Sequence, residues 1–551
     1  MENNSMNSIK NKNLIWISVS VLFSVMLFFC NVSFSEPDDY LVFGIFSGVY
    51  GNGVNSVFIH YINVIYGCLT KLLNAVIGRP VGWGIILLLL LTYSFSVLHI
   101  IFTIIRDNII PHLLIVLAQV MFGLFFLTYT VIAYLVSGIS LVLFSLCMLN
   151  LINDNARKYE IASLVGIVLG VLLRPNVLMS LVALILPLLI RAFNCKEKRK
   201  TIVRDIFIVT VSMSFFIGLN KLIILNNPVW DNYIKWDNQS IRIRDYAIDW
   251  EALDIKEELK DVGWEYNDLL MITSWDFADN NILSTEKMSV ISSSVPINKR
   301  YELNIKILAG LVVKDYKIIA LVLICFICLF TLKSRKDWLY IFMAFSLTIL
   351  LLMSLYVRKR YVDRVSIPIY FLGLLQMSVL YCLIDGKKNK SVKKWYGSAV
   401  LLICTIIALM GALSSIAMRY KSIISNAPQN DLLNYFNNNQ NITYVVNSGV
   451  VNSIYINKPI KDLRKSDYPK NVFKSGSWDL YSGRYYRMIK KRGLNESLFK
   501  SLYECDDVMF MTTNNDEVKR VSEFISYHYK GGVAYSVEGS FKDIMIYKFS
   551  E

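Results

Sequence analysis

The sequence predicts an α-helical polytopic membrane protein of about eleven spans, with a small α/β domain beyond the last span. Three observations predict it. Runs of about 20 apolar residues, enough for a helix to cross a hydrocarbon core roughly 30 Å thick, recur between residues 14 and 418. Hydrophobic residues make up 55% of the chain and charged residues only 18%, against about 25% charged in a soluble domain. After residue 418 the long apolar runs give way to short strand-like and helix-like runs. Together these exclude a disordered chain, a disulfide-built scaffold and an ordinary soluble enzyme.

The first apolar run, 14–34, follows Lys10 and Lys12. It exceeds the roughly 7–15 apolar residues of a cleavable signal core, so it reads as a retained span despite Ser33-Phe34-Ser35 behind it. The segment 57–77 is long enough to cross. However, His60, Asn63, Gly67, Thr70, Lys71 and Asn74 form one polar stripe at helical spacing. Such a stripe fits a helix lying in the interface better than one at lipid depth. Further spans are expected at 82–105, 109–127, 131–150, 206–225, 311–332, 338–356, 365–384 and 395–418, with Lys314, Asp315 and Lys317 delaying the buried part of 311–332. The stretch 161–190 is broken by Arg174-Pro175-Asn176. Proline lacks an amide donor and restricts its neighbour, so this stretch is expected to form two short helices meeting at a membrane face.

The count places the N-terminus on the cytoplasmic side and the C-terminus outside, and charge agrees with it. The net charge is +15, of which the segments assigned inside (1–13, 106–108, 151–160, 191–204, 333–337 and 385–394) carry +12. The outer loop 226–310 holds nine basic and fifteen acidic residues. Basic loops on the cytoplasmic side record insertion. The excess charge therefore points to the lipid bilayer and to no nucleic acid. The abundance of Asn, Lys and Ile fits a bacterial plasma membrane.

Residues 1–418 thus form the membrane domain, with outer loops at 35–81 and 226–310. An asparagine-rich linker, 419–441, leads into an extracytoplasmic α/β domain, 442–551. Strands are expected at Ile442–Val446, Val508–Met511 and Ile544–Phe549, and a helix at 515–529 capped by Asn514. Most of the nine cysteines lie in spans; Cys325 and Cys328 form a CxxC inside an apolar helix, where small packing residues are the better reading. The four histidines show no ligand spacing, so no metal or cofactor is expected. A Gly-rich phosphate loop, GxSxG and HExxH are all missing, which argues against coupling to nucleotide hydrolysis.

Two constellations carry chemistry, both assigned to the outer face. Glu36-Pro37-Asp38-Asp39 places three acids at the exit of the first span, where crowding and burial raise at least one pKa and poise a general base. The same acids can also simply solvate a helix end. Arg358-Lys359-Arg360-Tyr361-Val362-Asp363-Arg364 puts four basic residues on the side where basic residues are scarce. Anionic headgroups explain that, and so does a lipid-linked phosphate held by the arginine fork. Jointly, one cluster could activate an acceptor hydroxyl while the other neutralises a phosphate leaving group.

On these residues the chain resembles the GT-C superfamily of polyprenol-dependent glycosyltransferases. The acidic pair Asp38-Asp39, the interfacial helices behind it and the run Tyr129-Thr130-Val131-Ile132-Ala133-Tyr134 carry the resemblance. So do the break at Arg174-Pro175 and Arg360-Tyr361 with Pro368 opening a late span. The family's acidic pair is often Asp-Glu where this chain has Asp-Asp. The resemblance implies an inverting transfer of a sugar from a polyprenyl-phosphate donor to a cell-surface glycan, lipid or protein acceptor. It implies Asp38 as the catalytic aspartate with Asp39 beside it. Arg358, Arg360, Arg364 and Arg174 are the expected donor-phosphate ligands. His60, Asn63, Trp275 and Asp276 are candidate acceptor contacts, because aromatic faces beside polar groups can hold sugars. The alternatives are a surface-polysaccharide polymerase or ligase with a lipid-diphosphate donor, and a lipid or oligosaccharide flippase. Carriers place ionisable residues at mid-membrane, whereas these spans keep them at their ends.

Overall fold

The structure, a computed structural model, describes residues 2–48, 53–105, 108–151, 156–195, 198–246, 248–295, 316–332, 334–358, 360–385, 429–447, 449–450, 458–464 and 469–550. The expected span 395–418, Lys359 and the start of the linker lie outside the described residues.

Most of the fold is helical. Helices α1 (Glu2–Phe29), α2 (Pro37–Ser47), α3 (Val64–Ile77), α4 (Gly82–Ile105), α5 (Ile109–Phe125) and α6 (Tyr129–Met148) open the chain. They are followed by α7 (Ala156–Leu173), α8 (Val177–Phe193) and α9 (Arg199–Leu225). Among the described residues, six helices are long and apolar enough to cross a membrane: Asn11–Phe29, Gly82–Ile105, Tyr129–Met148, Arg199–Leu225, Arg335–Val357 and Asp363–Ile384. Helix α6 is the axis of the bundle, with every residue buried. Small residues set its packing. A Cβ on Gly166 or Gly170 of α7 would lie 2.1 Å from the hydroxyl of Ser140 or Ser137, so the two helices touch along their backbones. At the opposite extreme, α9 exposes Val203, Phe207, Phe215 and Leu222, side chains suited to lipid.

Arg174-Pro175-Asn176 separates α7 from α8, as the proline requires. Helix α3 has 14 residues, about 21 Å of helix and short of a roughly 30 Å hydrocarbon core. Asn63 caps its first turn by accepting from the Ile65 amide, and Gly78, at φ 72°, ends it. The helix begins only at Val64, so His60 and Asn63 precede it and the expected stripe over 57–77 is cut to Gly67, Thr70, Lys71 and Asn74.

Turns contact one another at two separate ends of the bundle. At one end, the Ser35 amide donates to the Leu127 carbonyl and the Asn63 amide to the Leu172 carbonyl. At the other, Asn13 meets Tyr159, Arg204 meets Glu160, and Asn194 meets Tyr340.

The segment after α9 forms α10 (Pro228–Arg244), α11 (Lys256–Asp261), α12 (Tyr266–Thr273) and α13 (Thr285–Ser294). Helices α14 (Tyr316–Thr331), α15 (Arg335–Val357) and α16 (Asp363–Asp385) then return to the bundle. Beyond α17 (Gln429–Asn438) lies a five-stranded mixed sheet of β1 (Thr443–Val446), β2 (Val472–Lys474), β3 (Val508–Thr512), β4 (Ala534–Phe541) and β5 (Ile544–Ser550). Its order is β2-β1-β3-β5-β4, with β1 parallel to β2 and β3, and β5 antiparallel to β3 and β4. Asn514 caps the helix Asn515–His528 as expected. Strands β2 and β4 escaped the sequence: β2 is three residues long, and β4 lies at the sheet edge with mostly exposed side chains and no alternation. The segment 236–295 and the sheet domain share one hydrophobic core, in which Trp236, Leu269 and Phe277 join Val445, Tyr481 and Phe510. At the seam, a Cβ on Gly476 would fall 1.5 Å from the Trp275 carbonyl oxygen.

Candidate functional site

The N-terminus of α2 builds the centre of the site. Pro37 occupies the first helical turn, where its missing amide costs nothing, and Asp38 and Asp39 sit where the helix dipole favours acids. The two aspartates then diverge. Asp39 is fully buried and accepts from the amide of Tyr129 at 3.0 Å, so it caps α6 from a distant segment. Burial pushes its carboxyl up to about 8, against the opposing pull of Thr128 and the Tyr129 amide. Asp38 is partly exposed and takes two donors: Arg364 Nη1 at 2.5 Å and the Trp478 indole at 3.4 Å.

Arg364 lies in the first turn of α16 and also stands 3.7 Å from Glu36. The acidic cluster and one arginine of the basic link are thus in direct contact, although 326 residues separate Asp38 from Arg364. Arg174, at the α7–α8 break, reaches the same place from another side. It donates to the Tyr129 hydroxyl at 2.8 Å and to Thr130 Oγ1 at 2.9 Å. Tyr129 is within electrostatic reach of Asp38 and Arg364 as well.

The other expected residues separate. Arg360 is paired with Asp245 at 2.9 Å and lies over the ring of Tyr246, one step away from the acidic cluster. Arg358 is the exposed C-cap residue of α15 and forms no ion pair among the described residues. Asn63 is a helix cap whose amide nitrogen donates to the Phe216 carbonyl, which leaves it a structural task. Trp275 lies under the guanidinium of Arg244, at 4.6 Å, and Asp276 is fully buried against Ser475. Burial pushes the Asp276 carboxyl up to about 7. Both belong to the seam between the loop and the sheet domain. His60 is partly exposed and binds Asp237 at 3.0 Å.

The sheet domain supplies two more residues: Trp478, which its aromatic ring already makes a weaker sugar-contact candidate from sequence, and Lys474, which sequence reasoning did not assign. Trp478 joins Asp38 to Tyr61, whose ring meets the indole edge-on at 5.7 Å. Lys474, at the end of β2, is pushed down to about 8 by burial, with Asp479 and Asp38 close enough to oppose the shift. No local motif announces Lys474, and only the docking of the sheet domain brings both residues to α2. Among the described residues no group of His, Cys, Asp and Glu could hold a metal ion. Comparison with family models, curated proteins and solved structures gives no match.

Proposed function

We propose that the protein is an integral membrane glycosyltransferase that moves a sugar from a polyprenyl-phosphate donor to a cell-surface acceptor. In this reading eleven spans cross a bacterial plasma membrane, the N-terminus is cytoplasmic, and the site and sheet domain face outward. One observation carries it: a partly exposed carboxylate, Asp38, is held at 2.5 Å by Arg364 beside a second arginine, Arg174.

Asp38 serves as general base and Arg364 and Arg174 as phosphate ligands. Before the donor binds, Arg364 occupies the lone pairs of Asp38. A donor phosphate offers the guanidinium a better-matched pair of oxygens, so binding draws Arg364 away and frees the base. The acceptor hydroxyl then passes its proton to Asp38 as its oxygen attacks the anomeric carbon. The bond to the phosphate oxygen breaks, its electron pair leaves on the phosphate, and the arginines stabilise that charge. A single displacement inverts the anomeric centre. Asp39 keeps α2 and α6 together.

A lipid-diphosphate donor is favoured by one observation, the third cation Lys474 near Asp38. Binding of undecaprenyl phosphate and undecaprenyl diphosphate to the purified protein separates the two donors. For the enzyme itself, the Asp38→Asn variant is expected to lose envelope glycan transfer at normal expression. Full transfer by this variant would refute Asp38 as the base.

A further inference from the structure

A second set of polar side chains stands beside the Asp38 cluster and is not used by the transfer step. Asp237 of α10 is fully buried and accepts from Arg244 at 2.7 Å, Tyr61 at 2.5 Å and His60 Nδ1 at 3.0 Å. Burial alone would push this carboxyl up. The hydrogen bond from His60 and the Arg244 guanidinium outweigh burial and hold it below the ordinary carboxylate range.

An ionised carboxylate has no proton to give, so the hydrogen between the two groups belongs to Nδ1 of His60. With that hydrogen on Nδ1, the lone pair the ring can offer is the one on Nε2. That nitrogen has no partner among the described residues, and the side chain is 17% exposed. The ring is fixed on its faces as well. It stacks on Tyr61 at 4.6 Å and meets Tyr233 edge-on at 6.1 Å. The titratable and charged groups around it are therefore Asp237, Arg244, Tyr61 and Tyr233.

The other exchangeable His–Asp pair shows what a purely structural version looks like. His528 and Asp268 are both buried, and Asp268 closes the capping box of α12. His60 differs in being open on its far side. It is also connected to the base: Tyr61 packs on Trp478, and Trp478 donates to Asp38.

We propose that His60 reads a hydroxyl of the acceptor through Nε2, with Asp237 as its positioning residue, and that the acceptor is a glycan. The choice of a glycan follows from the surroundings. A hydrogen-bond acceptor fixed beside the half-buried ring of Tyr61, with the Trp478 indole buried behind it, matches a pyranose, whose hydroxyls flank an apolar face. The proposal rests on the transferase reading for the existence of an acceptor.

The test begins with diethyl pyrocarbonate, which attacks an unprotonated imidazole nitrogen. The chain has four histidines, and His99, His112 and His528 are buried, so mass spectrometry is expected to find one fast-labelled residue, His60. In Asp237→Asn, Arg244 demands an oxygen on its side, which turns the amide NH2 toward His60. That amide donates to Nδ1, moves the ring hydrogen to Nε2 and slows labelling roughly tenfold, while Asp237→Glu restores it. Slow labelling of wild-type His60, or equal labelling of a folded Asp237→Asn, overturns the dyad.

Asp237→Asn also strips Arg244 of a partner. Should it fail to fold, the wild-type rate and His60→Ala at a partly exposed position decide the matter. With polysaccharide released from the cell envelope as acceptor, His60→Ala is expected to raise the acceptor KM about tenfold and to leave kcat within about threefold, the pattern of a lost binding hydrogen bond. A fall in kcat at unchanged KM overturns the acceptor role. Absence of transfer by the wild-type protein would instead remove the transferase reading, and the labelling would still judge the His60–Asp237 pair.

Discussion

Replacing Asp39 by asparagine is expected to stabilise the protein at alkaline pH and to spare transfer, whereas the same change one residue earlier abolishes it. Asp39 is fully buried, with a carboxyl raised from 3.8 to about 8. Between those values the folded protein binds a proton that the unfolded chain has released. The stability from this group is therefore fully present in acid, falls as pH rises through this window, and levels off above about 8. Each pH unit inside the window costs roughly 1.4 kcal/mol, so the group removes about 2–3 kcal/mol between pH 6 and pH 9. Asparagine is nearly the same size, stays neutral, and its carbonyl can still accept from the Tyr129 amide. Thermal unfolding in detergent micelles, followed by tryptophan fluorescence at pH 6 and pH 9, reads the difference. Asp276 and Lys474 titrate in the same range, so the comparison of Asp39→Asn with wild type carries the test. The margin of Asp39→Asn over wild type should grow by about 2–3 kcal/mol from pH 6 to pH 9. A variant less stable than wild type at both pH values, or one with the same pH slope, would refute the assignment of Asp39 as a buried cap.

The remaining predictions concern the partners of Asp38 and the seam. Arg364→Ala should weaken undecaprenyl phosphate binding about ten- to a hundredfold, the worth of charge-assisted hydrogen bonds, in an equilibrium binding assay. Arg360→Ala, whose guanidinium is engaged by Asp245, should weaken it by less than about fivefold, and equal losses would contradict the geometry. Trp478→Phe keeps the ring against Tyr61 and removes the donor to Asp38, so transfer should fall about three- to tenfold without loss of the folded protein on size exclusion. Gly476→Ala forces a methyl group into the Trp275 carbonyl and should cost at least about 3 kcal/mol, seen as rapid limited proteolysis of 226–295; unchanged proteolysis would show that the seam is looser than described.

The sequence carried the helical plan well because lipid leaves few choices: apolar length decides what can cross, and proline decides where a helix stops. The break at Arg174-Pro175 and the cap at Asn514 were legible for such local reasons, whereas the start of α3 at Val64 was not. Edge strand β4 was not, because a strand exposed on both faces has no alternating pattern. At the site, residue type pointed to Asp38 and the 358–364 link, and among the described residues Arg364 alone joins them. Local sequence could not distinguish Arg364, in contact with Asp38, from Arg358 and Arg360, because three-dimensional docking decides which arginine meets the acid. Lys474, Asp237 and the contact of Trp478 with Asp38 stayed hidden for the same reason, since each arises only when distant segments pack together.

The most direct test of the central claim follows donor binding and sugar transfer separately in two variants. Membranes holding equal amounts of wild type, Asp38→Asn or Arg364→Ala are supplied with radiolabelled polyprenyl-phosphate sugar prepared from the same cells. The account predicts that Asp38→Asn binds the donor yet transfers at least about a hundredfold more slowly, as expected for a lost general base, and that Arg364→Ala loses donor binding itself. Transfer at the wild-type rate by both variants would contradict it.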